Sequence, residues 1–218
     1  MAGEKKGLFF YLKDAWLVLA ISVVFGGGLA LSTAMTREQI AENKRQAQQG
    51  KLAELFGEGI EIARVVELDV TVRGQNRQAK VYEVVRGGQR AGWGIVADGK
   101  GYDKLTLMIG LSADAGTLVG YRVVSSAETA GVGDVIATSD YAGQFAGRKA
   151  TEPLSPVAAE RAVALSGRAL QGQKVYTITG ATMSTRNGVV KTINEYLKQL
   201  QPRLAAGLPE AKITKGTE

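Results

Sequence analysis

Neither cysteine nor histidine occurs anywhere in this 218-residue chain. Without cysteine there is no iron–sulfur cluster, no c-type haem attachment, no thiol redox chemistry and no cysteine nucleophile. Without histidine, the usual zinc sites, Ser-His-Asp triads and histidine general bases are excluded as well. Any redox chemistry therefore has to be carried by an organic cofactor. Acidic residues are the scarcer charge, with 21 Asp and Glu against 27 Lys and Arg, a formal net charge of +6. The basic residues are scattered among acids, with no aromatic-interleaved basic stripe, so nucleic acid is not an expected partner. The chain also lacks a G-x-G-x-x-G fingerprint and a P-loop, so no conventional nucleotide site is marked.

What is present begins with one apolar run. Ala15 to Met35 reads AWLVLAISVVFGGGLALSTAM, without a charged residue. A helix crossing a bilayer needs about 20 such residues, whereas the apolar core of a signal peptide is about 7–15 long. The run is expected to be a transmembrane helix, and Gly26, Gly27 and Gly28 suit close packing on a neighbouring helix. Lys5, Lys6 and Lys13 precede it; Arg37, Lys44 and Arg45 follow among Glu38 and Glu42. The positive-inside rule then puts the N-terminus in the cytoplasm and the rest of the chain outside it, anchored in the inner membrane. Phe9, Phe10, Tyr11 and Trp16 suit an interfacial aromatic belt.

Beyond the span, residues 36–56 are rich in helix formers and read as a helical stalk, with Ile40, Leu52, Leu55 and Phe56 available for burial. Strand patterns fall at 62–73, 79–86, 91–97, 104–112 and 117–126, with turns at GGQR and ADAG. A loop, AETAGVGD, occupies 127–134, followed by a short helix around SDYAGQFAG. A helical pattern recurs at 156–171, where Pro156 suits a first turn. A short KVYTI strand precedes an amphipathic helix from Met183 to Leu200, with Val189, Val190, Ile193, Leu197 and Leu200 on one face. Trp93 and Tyr102 read as core or sheet-surface residues. The expected organisation is an N-terminal segment (1–14), a span (15–35), a stalk (36–60), one α+β domain (61–202) with an antiparallel sheet and flanking helices, and a tail (203–218).

The segment Thr179-Gly180-Ala181-Thr182-Met183-Ser184-Thr185 lies between the KVYTI strand and the amphipathic helix. Gly180 and Ala181 would let a bulky phosphate and ribityl chain approach the backbone. Free N–H groups and the positive end of the helix dipole favour an anion there. Ser184 and Thr185 could donate to phosphate oxygens, and Arg186 could add positive charge. The same residues also make an ordinary helix cap after an ordinary turn.

Two stretches carry a family resemblance. GKGYDKLTLMIGLSADAGTLVGYRVVSSAETAGVGD (99–134) resembles a Gly-Tyr strand, a hairpin and an E-T-P-G-L-G loop; TGAT (179–182) is similar to an S/T-G-A-T flavinylation motif. In this order and spacing they resemble the FMN-binding domain found in the G subunit of the Rnf electron-transport complex and in its relative, the C subunit of the sodium-translocating NADH:quinone reductase. The chain departs from the pattern at Ala130 and Val132, where the family loop has Pro and Leu. It departs again at Tyr176, where many flavinylation sites carry an acidic residue.

The resemblance implies that a flavin transferase of the ApbE type places FMN on Thr182 through a phosphodiester. Thr182 would then be a modified residue, not a catalyst. It further implies that Glu128, Thr129, Gly131 and Gly133 approach the flavin ring. The implied role is electron transfer within a membrane ion-translocating complex of several subunits. The alternatives are the C subunit of a sodium-translocating NADH:quinone reductase and a non-redox membrane assembly subunit in which TGAT is only a helix cap.

Overall fold

The computed structural model describes residues 8–168 and 170–208, with side chains from residue 15 onward. Lys5, Lys6 and tail residues 209–218 lie outside that description, as do the side chains of Phe9, Phe10, Tyr11 and Lys13. The chain divides into two compact units, Met1–Gln46 and Ala47–Glu218.

In the first unit the described residues are helical, part of α1 (Leu8–Phe56). Trp16 and Phe25 are exposed, as are the valines and leucines between them. The hydroxyls of Ser22, Thr33 and Thr36 each donate to the carbonyl four residues back. Polar side chains thereby satisfy themselves on the helix, as an apolar surround requires. Among the described residues this is the one helix long and apolar enough to cross a membrane.

The second unit is built on a five-stranded antiparallel meander in sequence order: β1 (Glu61–Val72), β2 (Gln75–Arg86), β3 (Gln89–Lys100), β4 (Lys104–Ser112) and β5 (Leu118–Ser126). Its first strand alternates strictly from Val66 onward. In β1, Val66, Leu68, Val70 and Val72 face the core while Glu67, Asp69 and Thr71 face solvent. Gly87 and Gly88, both at positive φ, close the β2–β3 hairpin, a conformation open to glycine at little cost.

After β5 come α2 (Ser139–Ala142), β6 (Ser155–Ala159), α3 (Arg161–Ala164) and β7 (Lys174–Ile178), with β6 and β7 paired in parallel. The 156–171 segment is therefore not the helix its alanines predict. Pro156 sits in a strand, because pairing of Ser155–Ala159 with Lys174–Ile178 outweighs a weak local propensity. The last element starts as a π-helix, Met183–Val190, and continues as α4 (Lys191–Ala205). Val189, Val190, Ile193, Leu197 and Leu200 are all buried against the sheet, as their spacing predicts. The helix runs through Pro202, and Leu204 is still buried, past the point where the sequence pattern suggests an end.

The sheet's other face is unusual in being lined by glycine. Gly94, Gly110 and Gly120 are direct cross-strand partners on β3, β4 and β5. Into this bare lane pack Leu52, Leu55 and Phe56, so the end of α1 belongs to the folded unit.

Three tyrosines tie the layers together. Tyr121 donates to the Ile136 carbonyl at 2.7 Å, and Tyr141 to the Tyr176 carbonyl at 2.9 Å. Tyr196 accepts from the Asp98 N–H at 2.9 Å. Burial pushes all three phenols above their ordinary value. Raised folded values mean that stability is fully present below about pH 10, the unfolded value, and is lost as pH climbs toward the folded values. Denaturant midpoints at about pH 8 and about pH 11 should therefore differ, with the alkaline one lower. Equal midpoints would show that these phenols ionise freely in the fold.

Candidate functional site

Residues 178–185 form a short turn held from inside. The Thr179 N–H donates to the Ala159 carbonyl at 2.9 Å, closing the β6–β7 ladder. Gly180 then turns at φ +88°, with nothing within 4 Å of where a Cβ would stand. The Ala181 N–H returns to the Ile178 carbonyl at 3.0 Å. Thr185 clamps this turn: its buried hydroxyl donates to the Ala181 carbonyl at 2.8 Å and accepts from the Ile178 N–H at 3.1 Å. Ser184, also buried, donates to Glu128 Oε2 at 2.5 Å. The two hydroxyls expected to serve a phosphate are therefore already engaged within the protein.

Thr182 is different. It is exposed, and its hydroxyl has only a 3.5 Å contact to the Ile178 carbonyl. It borders a cavity of about 180 Å³ whose floor is Gly180–Ser184 and whose other walls come from Tyr102 and the 128–133 loop. Thr179, though exposed, does not line this cavity. At the start of the 183–205 helix the first N–H groups have no partner inside the helix, and the dipole is positive.

The loop is anchored at both ends. The Glu128 carboxylate also accepts from the Tyr102 and Asp103 N–H groups at 3.0 and 3.3 Å. The Gly131 N–H donates to Asp134 at 3.0 Å, while Arg161 donates to the Gly131 carbonyl at 2.6 Å. Glu128, Thr129 and Gly133 line the cavity with Thr182; Gly131, at φ +76°, forms the loop's outer turn and does not.

The sequence reading missed Val132 and Met183, exposed apolar side chains that join the 74%-exposed Tyr102 around the opening. An apolar residue beside two glycines and another directly after the TGAT string were the available signals. Trp93 is fully buried in the main core, as expected of it. Tyr176, at the position often acidic in flavinylation sites, is held by its main chain: its N–H donates to Gln144 and its carbonyl accepts from Tyr141. A larger groove of about 850 Å³ runs along α4 past Arg186, Lys191 and Lys198, but Thr182 is not part of it.

Residues 101–198 match the FMN-binding domain. This stretch, a little under half of the chain, resembles the FMN-binding domain family. It spans the Tyr102 turn, the 128–133 loop and the TGAT turn together.

The chain is also similar to two proteins named as the G subunit of an ion-translocating oxidoreductase complex. The one from Methanosarcina acetivorans is 25% identical over 170 residues, 78% of this chain and 84% of that protein. The one from Cereibacter sphaeroides is 30% identical over 146 residues, 65% of this chain and 66% of that protein. In fold the chain resembles NqrC of Shewanella oneidensis, with a TM-score of 0.55 and 16% identity over 79% of this chain and 99% of that one. It likewise resembles the C subunit of the Na(+)-translocating NADH-quinone reductase from Parabacteroides distasonis, with a TM-score of 0.53 and 18% identity over 81% of this chain and 98% of that one. The folded unit thus has the α+β architecture its sequence predicts.

Proposed function

We propose that this protein is the FMN-carrying electron-transfer subunit of a membrane-bound, ion-translocating oxidoreductase, with the flavin esterified through its phosphate to Thr182. The carrying observation is the contrast between cavity and hydroxyl. Sites that enclose a cofactor-sized ligand usually measure about 300–1,000 Å³, and the cavity beside Thr182 is about 180 Å³. A ligand that cannot be engulfed is retained better by a bond, and Thr182 offers an exposed hydroxyl at the cavity's edge.

The attachment step is redox-neutral. The Thr182 oxygen bonds to the flavin-side phosphorus of FAD, the pyrophosphate P–O bond breaks, AMP leaves, and the hydroxyl proton passes to a base of the flavin transferase. The unpaired N–H groups at the helix start offset the phosphodiester's charge. Gly180 leaves the approach open. Tyr102, Val132 and Met183 offer apolar surface to the ring, with Glu128, Thr129 and Gly133 on the loop side. Bound FMN supplies electron transfer singly or in pairs.

The two ion-translocating oxidoreductase relatives support membership of a complex of several subunits, and the exposed apolar helix supports membrane anchoring. The lysines before the span favour a cytoplasmic N-terminus with the FMN-binding domain outside the cytoplasm. Yellow, fluorescent flavin that survives denaturation after co-production with the transferase is the expected result. Colourless protein under those conditions would favour the non-redox assembly reading. A C-terminal reporter active only outside the cytoplasm should be active; silence would reverse the topology.

A further inference from the structure

Four hydroxyls stand within seven residues, yet a transferase must choose one. Thr185 is fully buried and spans the turn, and Thr179 lies off the cavity. Ser184 is the near competitor: it is two residues from Thr182 and borders the same cavity. It is withheld by Glu128, whose Oε2 takes the Ser184 hydroxyl at 2.5 Å while Oε1 takes the Tyr102 and Asp103 N–H groups. One carboxylate thus bolts three chain segments together.

Two glycines clear the space for it. A Cβ at Gly101 would stand 2.3 Å from Glu128 Oε1 and 3.0 Å from Ser184 Cα. A Cβ at Gly133 would stand 2.7 Å from Ser184 Oγ and 2.8 Å from Glu128 Oε2. Neither glycine is at positive φ, so neither is needed for backbone freedom; each is needed for room. Glu128, Ser184, Gly101 and Gly133 therefore form one built unit from separate parts of the sequence.

We propose that Glu128 is a positioning residue that selects the flavin acceptor: by holding Ser184 inward, it leaves Thr182 as the one hydroxyl of the turn that is free at the cavity. This rests on Thr182 being the acceptor of FMN. A hydrogen bond to a charged group outweighs a neutral one, and its loss frees Ser184 to rotate toward the cavity. The freed serine can undergo the same redox-neutral step, its oxygen bonding to the flavin-side phosphorus of FAD with AMP leaving.

The test uses the full-length protein co-produced with the transferase. Trypsin should release Val175–Arg186, which contains all four hydroxyls, and fragment ions locate the FMN. Thr182→Val alone should be unmodified, because Ser184 stays held. Thr182→Val with Glu128→Ala should carry FMN on Ser184, and adding Ser184→Ala to that pair should remove it again. Glu128→Ala alone should slow attachment at Thr182 by roughly tenfold, the scale of one charge-assisted bond. Glu128→Gln guards against misfolding, since its remaining oxygen can still accept from residues 102 and 103, while its amide can only donate to the serine oxygen and leaves the serine proton unclaimed. Combined with Thr182→Val, it should also place FMN on Ser184.

Unmodified Ser184 in both folded double variants, with wild-type rates in Glu128→Ala, would overturn the selection role. Failure of wild-type protein to acquire FMN on Thr182 would instead sink the underlying reading, so the two failures are distinguishable.

Discussion

Thr182→Val should abolish covalent flavin while leaving the fold intact. Valine keeps the β-branched shape, so the local helix start loses little. The hydroxyl it removes has only the 3.5 Å contact to Ile178, at an exposed position, and substitutions of that kind cost about 0.5 kcal/mol or less. Folding and attachment are therefore separable here, which is rarely so for a buried site. Denaturing-gel fluorescence and the mass of the 175–186 peptide measure attachment, and a thermal melt measures the fold. Thr179→Ser should remain flavinylated, because Thr179 lies off the cavity. FMN recovered on Thr179 or Thr185 in the wild type would contradict the assignment.

The largest expected effect on stability is at Gly92. An added Cβ would lie 2.2 Å from the Leu111 carbonyl oxygen and 2.4 Å from Phe56 Cε1. The carbonyl is backbone, held where Trp93 faces Leu111 across the β3–β4 ladder, so it cannot swing aside as a side chain would. Overpacking of this sort costs about 1–3 kcal/mol, and displacing backbone argues for the upper end. Gly92→Ala should lower the denaturant midpoint of detergent-solubilised protein accordingly. Gly143→Ala is the control, since Gly143 is at φ −60° with nothing within 4 Å of a Cβ. Equal midpoints for the two variants would mean that the glycine-lined face is loosely packed.

Much of this was legible because it depends on near neighbours in the chain. Alternation in β1, the apolar face of Met183–Leu200 and the uncharged Ala15–Met35 run are local patterns, and local patterns report which face an element buries. The TGAT string was legible in the same way, as small residues followed by hydroxyls at a helix start. The 156–171 segment was not, because its strand exists only through pairing with residues 174–178. Nor was the π-helical start of the last helix. There Gly188 packs against Gly101, where a Cβ would stand 3.3 Å from the Gly101 Cα, and Gly99 lies opposite Thr192.

By itself the sequence determined the chemistry that is possible. Lacking cysteine and histidine, the chain would have to borrow any redox function, and its hydroxyl cluster after Gly180 offers the acceptor that the proposed phosphate attachment needs. Only the tertiary structure decided among the hydroxyls. Ser184 and Thr185 look as available as Thr182 when written in a row. Their difference arises from Glu128, 56 residues away, and from the Ile178 N–H and Ala181 carbonyl that the folded turn brings to Thr185. A side chain's reactivity depends on which partners and how much solvent it meets, and those are set by the packing of segments distant in the sequence.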